Sequence, residues 1–232
     1  MAMSVKRLIV VVEGPTEDNF VRRILRPHLW AFGIVVSSTI VGKAKSAARG
    51  NSGKDARGGG RYIDWEKDIA NCLKGAPSSD FRLTTLFDLY GLPDDFPGRD
   101  ASAVDRSKAG RCDRLEQALA ERINDWRFTP YLQLHEFEAL VMACLPDLEV
   151  FYDAADQLAG LARLQAEVSS LQPEEINDSK ETAPSKRLER LIPGYSKTQH
   201  GPDVIERAGL DHVRSRCPRF DGWLTRLEME MF

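Results

Sequence analysis

Five acids have the type and placement for metal or proton chemistry: Glu13, Glu17, Asp88, Glu136 and Glu138. Glu13 ends an apolar run, Leu8–Val12, and Gly14 behind it lets the chain turn sharply. Asp88 lies near the end of RLTTLFDL (Arg82–Leu89), and Glu136 follows FTPYLQL (Phe128–Leu134). Carboxylates massed on one rim repel one another unless a cation is present. Hard oxygen donors suit magnesium or manganese, and such ions clamp a phosphate, activate water and stabilise a leaving oxygen. Each acid alone has an ordinary explanation, since acids are common at loop starts and Glu17 and Glu138 also suit the first turn of a helix. The joint placement of Glu13, Asp88 and Glu136 at three strand ends singles them out.

A second set is basic. Lys43, Lys45, Arg49, Lys54, Arg57 and Arg61 interleave with glycine, serine and alanine, with Asp55 the lone acid among them. Cations on such a loop can follow a phosphate chain; a solvated insertion is the plain alternative. A stretch of this length without structure inside a compact domain is uncommon and often functional. The net charge of -3 gives no global basic footprint, so nucleic-acid binding must use a local patch of this kind.

Other groups carry less. His28, His135, His200 and His212 lack ligand spacing and read as structural or solvated. Lys180, Lys186 and Lys197 fall in polar C-terminal loops, where a solvated surface is the simpler reading. Gly58-Gly59-Gly60 is not followed by the lysine of a phosphate-binding loop, and no GxSxG elbow occurs. Cys72, Cys112, Cys144 and Cys217 form no CxxC pair, which predicts reduced thiols and a cytoplasmic location. No segment approaches membrane-spanning length, and the N-terminal apolar run is too short for a signal peptide.

The elements that must position these residues follow from pattern. Four of the five residues in Leu8–Val12 are β-branched, which predicts a buried strand. Thr16 is the expected N-cap of a helix whose face is Phe20, Val21, Ile24 and Leu25 and which Pro27 weakens or ends. A strand over Ile34–Val41 completes a βαβ unit and implies a parallel pair. Tyr62–Leu73 is expected to be helical, Arg82–Leu89 a third strand, Arg111–Trp126 a helix and Phe128–Leu134 a fourth strand, with Pro130 pointing to an edge. His135–Leu145 keeps close to helical spacing, so Glu136 lies at a strand-to-helix junction. Two residues along a helix turn about 200°, so if the helix begins at Glu136, that residue and Glu138 point apart, and Glu136 is the favoured ligand. Pro173–Pro193 reads as loops with a short helix at Lys186–Leu191, Gly194–Pro202 as a loop, and Phe220, Trp223, Leu224 and Leu227 as the face of a closing helix. The fold class is α/β: a Rossmann-like, mainly parallel sheet flanked by helices over 1–145, with a helical extension over 146–232 packed on it.

Glu13-Gly14 after an apolar strand, with Glu17 four positions on, resembles the first motif of the Toprim domain, and the spacing of Glu17 is similar to that in the overcoming-lysogenization-defect (OLD) nucleases. FDLYGLP, HEFEAL, YSKTQHGP and CPRFDGWLTRLE further resemble the bacterial domain-of-unknown-function 4276 family, whose N-terminal half is Toprim-like, over almost the whole chain. The resemblance implies that Glu13 handles metal or a proton and that Asp88 is the first aspartate of a DxD motif. The chain departs at the second position, which is Tyr90; Asp94 or Asp95, or Glu136 with Glu138, are the candidate replacements. The departure bears on two-metal catalysis and leaves a one-metal site. What the resemblance implies is a magnesium- or manganese-dependent nuclease acting on DNA or RNA in bacterial defence or mobile-element conflict, beside an adjacent ATPase. In it Glu13, Asp88 and Glu136 hold the metal, Glu17 and Glu138 support them, and the basic loop grips the backbone. A non-catalytic module that binds nucleic acid or the ATPase is the alternative, and a small-nucleotide phosphohydrolase a third reading.

Overall fold

The computed structural model describes residues 6–42, 60–75, 79–102, 105, 107–176 and 182–229. The chain begins with β1 (Lys6–Val12), α1 (Pro15–Phe20), a π-helical turn (Val21–Leu25), α2 (Arg26–Trp30) and β2 (Ile34–Ile40). After α3 (Tyr62–Lys74) come β3 (Phe81–Asp88), α4 (Arg99–Ser102), α5 (Lys108–Ile123), β4 (Phe128–Thr129) and β5 (Leu132–Gln133). The remainder is helical: α6 (Glu138–Ala143), a 3-10 turn (Leu145–Phe151), α7 (Ala155–Val168), a second 3-10 turn (Pro173–Glu175), α8 (Pro184–Leu191), α9 (Lys197–Ala208), α10 (Leu210–Arg216) and α11 (Pro218–Met229).

All strand pairings are parallel, in the order β2-β1-β3-β4, with β5 pairing β3 beyond β4. This is the expected α/β, Rossmann-like sheet. Because β1 is central and covered on both faces, its sequence is a continuous apolar run rather than an alternation. Leu8, Val10 and Val12 enter one core with α1, α6 and the C-terminal helices, while Val11 enters the other with α3 and α5. The closing helix locks onto the first core: Trp223 Nε1 donates to Thr84 Oγ1 on β3 at 3.0 Å, and Tyr131 stacks on the indole at 4.6 Å.

Four local expectations are corrected. The helix after β1 runs through Pro27 to Trp30, because the π turn before it widens the coil; Arg26 N–H reaches Val21 O, five residues back. Thr16 is not the N-cap; Gly14 is, and Glu17 supplies the capping oxygen. The fourth strand is two short pieces. Between them the Thr85 hydroxyl donates to Tyr131 O at 2.7 Å and accepts Tyr131 N–H at 2.8 Å, bridging the break after Pro130. Gly194–Pro202 is not all loop, since α9 starts at Lys197 and carries Pro202 inside it; Thr198 O, four residues before the proline, accepts Asn19 Nδ2 instead. Among the described residues no helix is long and apolar enough to cross a membrane. The cysteines are free, and Cys112, Cys144 and Cys217 are buried.

Candidate functional site

Glu13, Asp88 and Glu136 lie just after or at the C-terminal ends of β1, β3 and β5, so the parallel sheet delivers all three to one rim. In open α/β sheets this edge is where ligands bind. Glu13 is buried, and its Oε1 accepts the Asp88 backbone N–H at 2.6 Å. The backbone of Gly91 lies flat against the same carboxylate: a Cβ there would stand 2.1 Å from Glu13 Oε2. Glu17, also buried, turns back to accept Gly14 N–H at 2.9 Å and so fixes the turn that carries Glu13.

Glu136 and Glu138 both face this rim, which the sequence argument had separated. The helix begins at Glu138 and not at Glu136, so helical rotation does not divide them. Glu136 Oε2 accepts Ser185 N–H at 3.1 Å, which ties the junction after β5 to the start of α8. Glu138 is buried 3.4 Å from the Lys197 ammonium. The sequence places Lys197 on a solvated loop; the fold brings it from the start of α9 to the side of Glu138, still partly exposed. No spacing signal links residue 197 to residue 138, and the only hint was a lysine inside a Ser-Lys-Thr stretch.

The electrostatics are those of crowded anions. Burial, then the Glu17 charge, raises the Glu13 carboxyl well above its usual range. Burial, then Glu13, Glu17, Glu138 and Glu136, does the same to Asp88. Burial pushes Glu138 up to about 7 despite Lys197, and burial raises Glu17. Burial disfavours the Lys197 ammonium, but Glu138, Glu136 and Asp88 outweigh it and raise the group above its ordinary value. Asp88 Oδ1 is buried with no hydrogen-bond partner. A buried carboxylate without a donor is costly, which is why the Asp88 carboxyl holds its proton so tightly, and a cation would take the proton's place. The donor chemistry therefore fits a hard divalent ion. The donors do not form a finished cage: among the described residues no three His, Cys, Asp or Glu are placed to hold a metal ion together. Glu13, Glu17 and Glu136 each hold a backbone amide instead.

At the departure from DxD stands a cluster the sequence did not reveal. Tyr90 N–H donates to His135 O at 3.1 Å. Lys108 Nζ donates to the Tyr90 hydroxyl at 2.8 Å, which lies 3.2 Å from His135 Nδ1. His135 Nε2 is 3.0 Å from Glu174 O. A carbonyl only accepts, so Nε2 carries the proton and Nδ1 accepts from Tyr90. Burial, and then Lys108, lowers the imidazole to about 4, which keeps it neutral. His135 has φ of 65°, left-handed backbone that a non-glycine residue rarely adopts. Asp94 and Asp95 do not replace the missing acid: Asp95 accepts Tyr62 N–H at 2.8 Å, and Asp94 pairs with Arg99 on the surface. Of the basic loop, Lys43, Lys45, Arg49, Lys54 and Arg57 lie outside the described residues; Arg61 is exposed at the start of α3.

The profile of the family described as "Domain of unknown function (DUF4276)" matches residues 12–228. No curated protein matches the sequence. Among solved structures, the C-terminal region of the Burkholderia pseudomallei OLD protein is similar at 17% identity, over 97% of this chain and 98% of that one, with a TM-score of 0.45. The C-terminal region of the Xanthomonas campestris pv. campestris OLD protein is similar at 14% identity, over 97% and 98% of the two chains, with a TM-score of 0.38.

Proposed function

The chain belongs to the DUF4276 family, and we propose that its acidic rim is the centre of a divalent-metal-dependent nuclease that hydrolyses phosphodiesters of DNA or RNA. The observation that carries this reading is the gathering of Glu13, Asp88, Glu136 and Glu138 around an unpartnered buried oxygen, Asp88 Oδ1, with the Lys197 ammonium among them. Asp88, Glu13 and Glu136 would hold magnesium or manganese, with Glu13 and Glu136 turning from the amides they now accept. The ion, when bound, supplies Lewis-acid activation of water and charge neutralisation at the phosphate.

The chain's own groups do the rest. Glu17 holds the Gly14 turn and thereby the bearing of Glu13. Lys197, drawn inward by Glu138, neutralises charge on a phosphate oxygen. Glu138, buried beside Lys197, is the carboxyl that would take or give a proton. The family resemblance adds the expectation of a role in bacterial defence or mobile-element conflict beside an ATPase encoded nearby, with Lys43–Arg61 gripping the strand.

The test is a manganese titration with cleavage of single- and double-stranded DNA and RNA. Glu13→Gln, Asp88→Asn and Glu136→Gln are each expected to abolish cleavage while leaving the melting temperature within a few degrees. A second reading, a module that binds nucleic acid or the ATPase without cutting, is favoured by Tyr90 and by the unfinished ligand set. Wild-type protein that binds no divalent ion and cuts nothing, even with its genomic neighbour added, replaces the first reading with the second.

A further inference from the structure

We propose that Ser185 is a positioning residue of the acidic rim: its amide holds Glu136, and its hydroxyl, buried and without a partner, is the donor that steadies the Glu136 carboxylate once a divalent ion draws it inward. The inference rests on the metal-dependent reading of the same rim and adds the residue that aims one of its ligands.

Three observations converge on it. The first is contact. Ser185 N–H donates to Glu136 Oε2 at 3.1 Å, across 49 positions of sequence. Amide and hydroxyl belong to one residue, so covalent geometry keeps Oγ within about 4 Å of that nitrogen in every rotamer. The hydroxyl therefore stands next to the Glu136 carboxylate. The last torsion of a glutamate side chain is broad, so a small turn exchanges one donor for the other.

The second is the element that carries the donors. α8 opens with Pro184, which has no N–H, so Ser185 N–H is the first donor of the helix and has no acceptor inside it. A carboxylate is the favoured partner at this end, where the helix carries partial positive charge. Leu188 and Leu191 bury α8 in the first core, so both donors stand on a fixed element.

The third is the bare hydroxyl. Ser185 is fully buried, and its Oγ has no hydrogen-bond partner. Most buried hydroxyls are satisfied, and one that is not costs stability. Serine in the first turn of a helix ordinarily bonds the local backbone; this one does not. The arrangement repeats across the rim: Glu13 accepts Asp88 N–H, and Asp88 Oδ1 is likewise without a partner. Each of these two glutamates rests on the amide of a residue that keeps an unused side-chain oxygen. On Asp88 it is an acceptor suited to a cation, and on Ser185 a donor suited to the carboxylate that a cation would recruit. Donors of this kind orient ligating carboxylates, and their loss lowers metal affinity about 10–100-fold.

The experiment measures manganese affinity of the full chain by calorimetry, with the melting temperature of the metal-free protein alongside. Ser185→Ala is expected to weaken manganese binding about tenfold. Its metal-free melting temperature is expected to hold or to rise by a few degrees, because the variant removes a buried hydroxyl that bonds to nothing. A purely structural hydroxyl gives the opposite pair, a lower melting temperature with unchanged manganese affinity. In a Glu136→Gln background the same substitution is expected to change manganese affinity by no more than about twofold, because Ser185 acts through Glu136.

A folded Ser185→Ala protein with wild-type manganese affinity overturns the inference. So does a metal-free melting temperature more than about 4 °C below wild type, or an equal loss of affinity in both backgrounds. Cleavage by wild type, with normal manganese binding in Ser185→Ala, leaves the nuclease reading standing and removes this one. A manganese site that depends on Ser185 through Glu136, in a chain that cuts no nucleic acid, supports Ser185 and removes the nuclease reading. Wild type that binds no manganese removes both.

Discussion

Gly91→Ala is the sharpest perturbation of the rim. Gly91 is not in left-handed backbone, so alanine brings no conformational penalty there, and the effect is steric. The new Cβ would stand 2.1 Å from Glu13 Oε2 and 2.9 Å from both Oε1 and Cδ. Ordinary carbon–oxygen contact requires the carboxylate to retreat by about 1 Å. A displacement of that size takes the 2.6 Å bond between Glu13 Oε1 and Asp88 N–H beyond hydrogen-bonding reach. Leaving that amide without a partner costs about 1–3 kcal/mol, and each kcal/mol lowers the melting temperature of a chain this size by about 2–4 °C. A misplacement of about 1 Å in a metal ligand is worth roughly 100-fold in rate. Cleavage, manganese affinity and melting temperature are measured together, and the variant is then combined with Glu13→Gln. If Gly91 acts only through Glu13, the double variant is no slower than Glu13→Gln alone. Wild-type turnover and manganese affinity in Gly91→Ala would refute the idea that the bearing of Glu13 matters.

Glu138 makes metal-free stability depend on pH. Its folded value, about 7, lies above its ordinary value of 4.5. The folded protein then holds a proton that the unfolded chain has released, so stability present below about 4.5 is lost as pH rises through about 7, on the order of 3 kcal/mol. Glu13, Asp88 and Glu17, whose carboxyls are also raised, contribute with the same sign; melting curves from pH 4.5 to 8 check this, and Glu138→Gln is expected to reduce the slope, an unchanged slope removing Glu138 as a contributor. Manganese competes with the same protons, so its affinity is expected to rise over this range in isothermal titration. Lys197→Met is expected to lower turnover at least tenfold while manganese affinity holds or improves, because a cation is removed from among the ligands; weaker manganese binding would count against its proposed role. Replacing Lys54, Arg57 and Arg61 together by alanine is expected to flatten the salt dependence of nucleic-acid binding, and an unchanged slope would leave the loop as a solvated insertion.

The sequence alone determined the scaffold of the rim. β-Branched runs capped by acids and separated by helical periodicity admit few solutions other than a parallel sheet with acids at one edge, because parallel strands need crossover helices and bury both faces. Leu8–Val12 with Glu13, and Arg82–Leu89 with Asp88, were legible for that reason. So was the closing helix, whose Phe220, Trp223, Leu224 and Leu227 are buried on one face. Hydrogen-bond exchanges blurred the boundaries: the Thr85 hydroxyl bridging the strand at Pro130, and the π turn carrying a helix through Pro27, depend on partners absent from the local sequence.

Only the tertiary structure decided the chemistry around the rim. Lys197 meets Glu138 across 59 residues, and Ser185 meets Glu136 across 49. Lys108, at the start of α5, reaches Tyr90 in the turn after β3, and Gly91 is confined by a carboxylate 78 positions earlier. Period and propensity report which face of an element is buried, not which distant side chain it faces. The pairing of Glu136 with Glu138 turned on whether a helix starts two residues earlier or later, and the backbone at His135, set by contacts to Glu174 and Tyr90, decided it.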